Sequence, residues 1–196
     1  MIKKTKLIYD LMKKEHPFLT SAEDSPFAAL IAISDLSPED ALQEMESCYQ
    51  ILRPYFFFCN SVQSLSHILA LSNLSAKEKC DRTLQFFEQL KSRGCRYGTG
   101  YELATLGILA LFDSPEQLFL DDICSVETYL SKQRGFGFFG VGSKQRLMYA
   151  GILAMSDEIE TLSSGMAIRT AAMNSVISIV VAEQIAPVSY THLTRD

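Results

Sequence analysis

A short apolar run present in four copies constrains this chain more than any other feature. Leu30-Ile31-Ala32-Ile33-Ser34 returns as Ile68-Leu69-Ala70-Leu71-Ser72, as Ile108-Leu109-Ala110-Leu111-Phe112 and as Ile152-Leu153-Ala154-Met155-Ser156. The central alanines lie 38, 40 and 44 residues apart. A second register runs beside the first, with Met12, Leu52, Leu90 and Leu130 spaced by 40, 38 and 40. An aromatic ring stands three positions before the first three of these, at Tyr9, Tyr49 and Phe87, whereas the fourth has Glu127. Two markers sharing one period describe an array of similar units, and a period of this size belongs to solenoid architectures.

Each unit reads as two helices. The first opens on a serine cap, Ser37-Pro38-Glu39, Ser75-Ala76-Lys77-Glu78 or Ser114-Pro115-Glu116-Gln117. The hydroxyl there accepts an open amide, proline loses no bond, and glutamate suits the positive helix start. The same helices end in cations (Lys13 and Lys14, Arg53, Lys91 and Arg93, Lys132 and Arg134), with Gly94 and Gly135 as stops. Cys80, Leu84, Phe87 and Leu90, with Phe86, make an apolar stripe at helical spacing. Second helices are expected from about Ser25-Pro26, Ser61, Thr99 and Ser143, with a capping box between Thr99 and Glu102. They are short and apolar nearly all round, as inner helices covered on two sides must be.

No segment alternates with period two, so the expected fold is all-α. Stacked antiparallel helix pairs would form an α-solenoid of the HEAT or tetratricopeptide type, with about nine helices. The period is nearer to HEAT repeats than to the 34 residues of tetratricopeptide repeats. The units span about 4–34, 38–72, 76–112 and 115–156, followed by a terminal helix at 166–186, all within one domain over 1–187. Arg169, Asn174 and Glu183 make the last helix a poor membrane span, and packing or self-association through 166–186 is the expectation.

Composition narrows the function. With 18 basic and 23 acidic side chains the net charge is −5, which argues against nucleic-acid binding. Five cysteines without a C-x-x-C pair suit a reducing cytoplasm rather than a secreted disulfide framework. The start, Met1-Ile2-Lys3-Lys4, is basic, but Asp10 breaks the apolar stretch behind it, so it does not read as a signal peptide.

Three stretches carry a family resemblance: Phe18-Leu19-Thr20-Ser21-Ala22-Glu23-Asp24-Ser25-Pro26, Ser64-Leu65-Ser66-His67-Ile68-Leu69-Ala70-Leu71, and the helix ending Leu90-Lys91-Ser92-Arg93-Gly94. Over about residues 5–186 the chain resembles an uncharacterised family of Gram-positive bacteria, domain of unknown function 4003. The resemblance implies a helical fold and brings no activity, cofactor or catalytic residue. It also implies longer relatives with a further N-terminal portion, so Met1 is expected to be an internal start. Val188-Ser189-Tyr190-Thr191-His192-Leu193 is similar to the translation of a transposase adapter used in sequencing libraries, so 188–196 is expected to be a non-native tail.

Candidate chemistry is sparse. Gly135-Phe136-Gly137-Phe138-Phe139-Gly140 is formally a dinucleotide-binding glycine pattern, but it follows a helix and reads as a turn with aromatic packing. Ser143, Lys144 and Arg146 behind it could hold an anion at a helix start. His16 and His67 are far apart in the chain, and Cys48, Cys59, Cys80, Cys95 and Cys124 lack ligand spacing, so no metal, cofactor or catalytic set is expected. The remaining feature is a set of connector aromatics: Phe18, Tyr55-Phe56-Phe57-Phe58, Tyr97, Phe136, Phe138 and Phe139. Some are expected to plug gaps between units and others to stay exposed as a binding strip. The expected function is a non-enzymatic module that binds a protein or peptide partner. The alternative is a phosphate-compound or nucleotide site at 135–146, with Phe136, Phe138, Phe139, Ser143, Lys144 and Arg146 as its residues.

Overall fold

Two serines set the phase of the helices that follow them. Ser37 Oγ accepts the Asp40 N–H at 3.1 Å and Ser75 Oγ accepts the Glu78 N–H at 3.3 Å, each filling an open amide of a first turn. The computed structural model describes residues 1–112, 116–137 and 140–161, and every regular element among them is helical. The α-helices are α1 (Ile2–Glu15), α2 (Ser25–Ile33), α3 (Pro38–Leu52), α4 (Cys59–Leu69), α5 (Ala76–Ser92), α6 (Leu103–Ala110), α7 (Glu116–Ser131) and α8 (Ser143–Thr161). A single 3-10 turn, Ala22–Asp24, leads into α2. The fold is all-α.

The stop at the end of α5 is equally local. Gly94 takes a left-handed φ of +82°, the Gly94 N–H reaches Lys91 O at 3.0 Å, and the Cys95 N–H reaches Leu90 O at 2.9 Å. These two bonds close the last turn as a Schellman motif and send the chain back across the helix end.

The helices pack in two layers. The odd-numbered helices touch in series, α1 to α3 to α5 to α7, and the even-numbered ones do the same, α2 to α4 to α6 to α8. Each odd helix also packs on the even helix that follows it. Both repeat markers lie between the layers: Ala32, Ala70, Ala110 and Ala154 are buried, as are Met12, Leu52, Leu90 and Leu130. Every residue of α6 is buried, which explains why its sequence has no polar face.

Glycine governs how closely the even helices approach. A Cβ on Gly107 of α6 would come within 2.6 Å of Leu65 Cδ1 on α4, and one on Gly151 of α8 would collide with Leu109 of α6. These glycines stand three residues before the repeated alanine, where α4 instead carries His67. Its ring fills the seam with α2, 5.4 Å from the Phe27 ring.

Two helix starts differ from the capping pattern in the sequence. Helix α4 begins at Cys59 rather than Ser61, and α6 begins at Leu103 rather than Thr99. The Thr99–Glu102 box does not form because Glu102 turns back to accept the Gly100 N–H at 3.1 Å. The Ser114–Pro115 cap, Phe138, Phe139, the expected helix at 166–186 and the tail at 188–196 lie outside the described residues. No helix among the described residues is long and apolar enough to cross a membrane.

Candidate functional site

The connector between α3 and α4 turns one ring inward and three outward. Pro54 follows the α3 cap residue Arg53, and Phe56 then drops into the core at 5% exposure, edge-on to Phe87 with centroids 5.4 Å apart. With Phe56 anchored, Tyr55, Phe57 and Phe58 are left 64%, 84% and 53% exposed. The Phe57 and Phe58 rings meet edge to face at 5.3 Å. Phe58, Cys59, Asn60 and Ser61 line one open cleft with Gly100 of the α5–α6 connector. Beside Gly100, Tyr101 is 43% exposed, whereas Tyr97 is buried. Phe58 is the N-cap residue of α4 and makes no side-chain cap bond, so backbone donors of the first turn lie beside these rings. On the α1–α2 connector, Phe18 is almost fully exposed.

The glycine-rich connector forms a closed turn. Gly135 has φ +90°, its carbonyl accepts the Val141 N–H at 2.9 Å, and Gly140 donates to Gly137 O at 3.0 Å. Gly140 packs so tightly on the Gly135 carbonyl that no side chain could stand there. Phe136 is half-buried, its ring edge-on to Tyr149 at 6.4 Å. Ser143 and Lys144 are exposed in the first turn of α8. Arg146 is engaged, donating from Nε to Glu127 Oε1 at 2.8 Å and from one terminal nitrogen to Phe136 O at 2.7 Å.

A polar crevice lies at the other end. Met12, His16, Leu42, Met45, Glu46, Gln63, Ser66 and His67 line it, so the two histidines that are distant in sequence share one crevice. His16 Nε2 pairs with Glu46 Oε2 at 2.8 Å, and Gln63 donates to Thr20 Oγ1 at 2.9 Å. His67 is buried, with Nδ1 3.6 Å from Asp24 Oδ1 and no hydrogen bond at that nitrogen. Burial, followed by the nearby His16, lowers its pKa to about 3, so the ring is neutral near pH 7. No group of three or more histidine, cysteine or carboxylate side chains among the described residues is arranged to hold a metal ion.

The family described as protein of unknown function (DUF4003) matches residues 1–186. This chain belongs to that family. An uncharacterized protein of Bacillus subtilis (strain 168), YeaA, is 27% identical over 130 residues, which cover 66% of this chain and 38% of YeaA. The match thus spans well under half of that relative's length. No solved structure matches the chain.

Within this DUF4003 chain, spacing along the sequence missed the His16–His67 crevice and the exposed Tyr101. One signal was available for Arg146: the fourth unit replaces the ring found at Tyr9, Tyr49 and Phe87 by Glu127, and that glutamate receives the arginine.

Proposed function

We propose that this DUF4003 chain is a non-enzymatic, cytoplasmic helical-repeat module, an α-solenoid that binds an extended apolar segment of a partner protein on its connector edge. The serial packing of odd with odd and even with even helices supports the solenoid reading. The binding reading rests on the exposure of Tyr55, Phe57, Phe58 and Tyr101 around the cleft at the start of α4. Large rings held on short, anchored connectors present apolar area at little entropic cost, and backbone donors beside them suit an extended chain. The phosphate reading of 135–146 is weaker, since the guanidinium of Arg146 is already paired with Glu127.

Peptide display against the folded chain tests this. Enriched peptides are expected to be apolar and to lose about tenfold or more in affinity when Phe57→Ser and Phe58→Ser are combined, as for hot-spot aromatics. The helical circular dichroism should be unchanged. Peptides bound equally by the double variant would overturn the assignment.

A further inference from the structure

The last even-numbered helix among the described residues keeps one apolar face open. Helix α2 packs on α4, α4 on α6 and α6 on α8, which gives α8 a neighbour on one side in this series. Ile31, Leu69, Leu109 and Leu153 hold the same place in the four units, each just before the repeated alanine. The first three are buried, and two of them are covered by the next even helix, Leu69 by α6 at Gly107 and Leu109 by α8 at Gly151. Leu153 is 50% exposed. It stands two residues after Gly151, about 200° round the helix, and so points away from α6. Tyr149, Ile152 and Ser156 share that side at helical spacing and are only partly covered. Their polar groups are satisfied within α8: Ser156 Oγ donates to Ile152 O at 2.9 Å, and the Tyr149 hydroxyl accepts from Gln145 Nε2 at 3.0 Å. The stripe therefore suits an apolar cover and not a polar ligand.

We propose that the segment 166–186 of this chain docks along α8 on the stripe of Tyr149, Ile152, Leu153 and Ser156 and closes the open end of the array. Its chemistry matches the face. Arg169 and Glu183 are its only charged residues, and Ala171, Ala172, Ser175 and Ser178 permit the close approach that glycines permit between the earlier even helices. It is also within reach. Helix α8 ends at Thr161, and the connector 162–165 spans at most roughly 14 Å, so the segment must begin beside that end. Leu153 lies only about two turns back along α8. A segment turning back from there runs antiparallel to α8, which sets Arg169 near the exposed Asp157. The family match continues to residue 186 and takes in the whole segment. This docking is independent of peptide binding at the start of α4.

The test uses the full chain with a diazirine side chain at position 153, irradiated as an equal mixture of isotopically light and heavy protein. Trypsin cuts after Arg146, Arg169 and Arg195, so a crosslink within one chain joins peptide 147–169 to peptide 170–195. The expected product is that crosslink with both peptides of the same isotope. Mixed light–heavy crosslinks would place a second copy on the face and overturn the proposal, as would the lack of any crosslink to 170–195. Hydrogen exchange of the unsubstituted chain keeps the test valid if the label disturbs folding. Amides of 170–186 should exchange about tenfold or more slowly than in an unstructured chain, and Leu153→Asp should remove most of that protection while sparing residues 1–112. Unprotected amides across 170–186 in the unsubstituted chain, or protection unchanged by Leu153→Asp, would also overturn it.

Discussion

Glu127 of α7 stands in the fourth unit where Tyr9, Tyr49 and Phe87 stand in the others, and its Oε1 holds the guanidinium of Arg146 on α8 at 2.6 and 2.8 Å. The pair joins α7 to α8, and the second bond to Phe136 O also holds the glycine-rich turn in place.

Removing either partner therefore loosens both the helix pair and the turn. The side chains are 14% and 20% exposed, between a surface pair and a buried one. Arg146→Ala should cost about 2 kcal/mol in urea unfolding, between the values typical of those two classes. Arg146→Lys should recover only part of this, since an ammonium cannot reproduce the fork that reaches Glu127 and the Phe136 carbonyl together.

Lys79 is fully buried between α3 and α5, with Nζ 2.5 Å from Glu44 Oε1 and 3.3 Å from Ser72 O. Glu44→Ala would leave a buried ammonium without its counter-charge, and the expected loss is about 3 kcal/mol. Lys79→Met keeps the volume and removes the charge, so it should be close to neutral. Denaturation midpoints of the two variants measure this asymmetry, and equal losses would contradict it.

The buried imidazole makes stability depend on pH. His67 titrates at about 3 in the fold against 6.5 ordinarily, so between these values the unfolded chain binds the extra proton. The His67 contribution is complete above pH 6.5 and is lost as pH falls toward 3, with a slope of up to about 1.4 kcal/mol per pH unit. Urea midpoints from pH 7 to 4.5 should fall less steeply for His67→Gln than for the native chain. Equal slopes would show that His67 does not carry the effect.

Local chemistry was legible in the sequence and relations between units were not. Ser37 and Ser75 cap helices where their spacing to Asp40 and Glu78 requires, and Gly94 and Gly135 adopt the left-handed conformation that stops demand. The approach of Cys80 Sγ to the Cys48 carbonyl at 3.8 Å, or the sharing of one crevice by His16 and His67, depends on how neighbouring helices are rotated and stacked, which no single segment encodes. In the run Tyr55-Phe56-Phe57-Phe58 the choice of Phe56 as the inward ring follows from an irregular backbone turn after Pro54 and has no periodic signature. The start of α6 shifted for a similar reason: the Glu102 carboxylate found the Gly100 amide before it could serve as a cap partner.

The binding edge is tested most directly by photocrosslinking in cells that produce this chain. A photoreactive phenylalanine analogue is placed at Phe57, 84% exposed on the connector edge, or at Glu88 on the exposed side of α5. A discrete, saturable protein adduct is expected from position 57, competed away by excess native chain but not by the Phe58→Ser chain, and none from position 88. Equal adducts from both positions, or none from position 57, would contradict it.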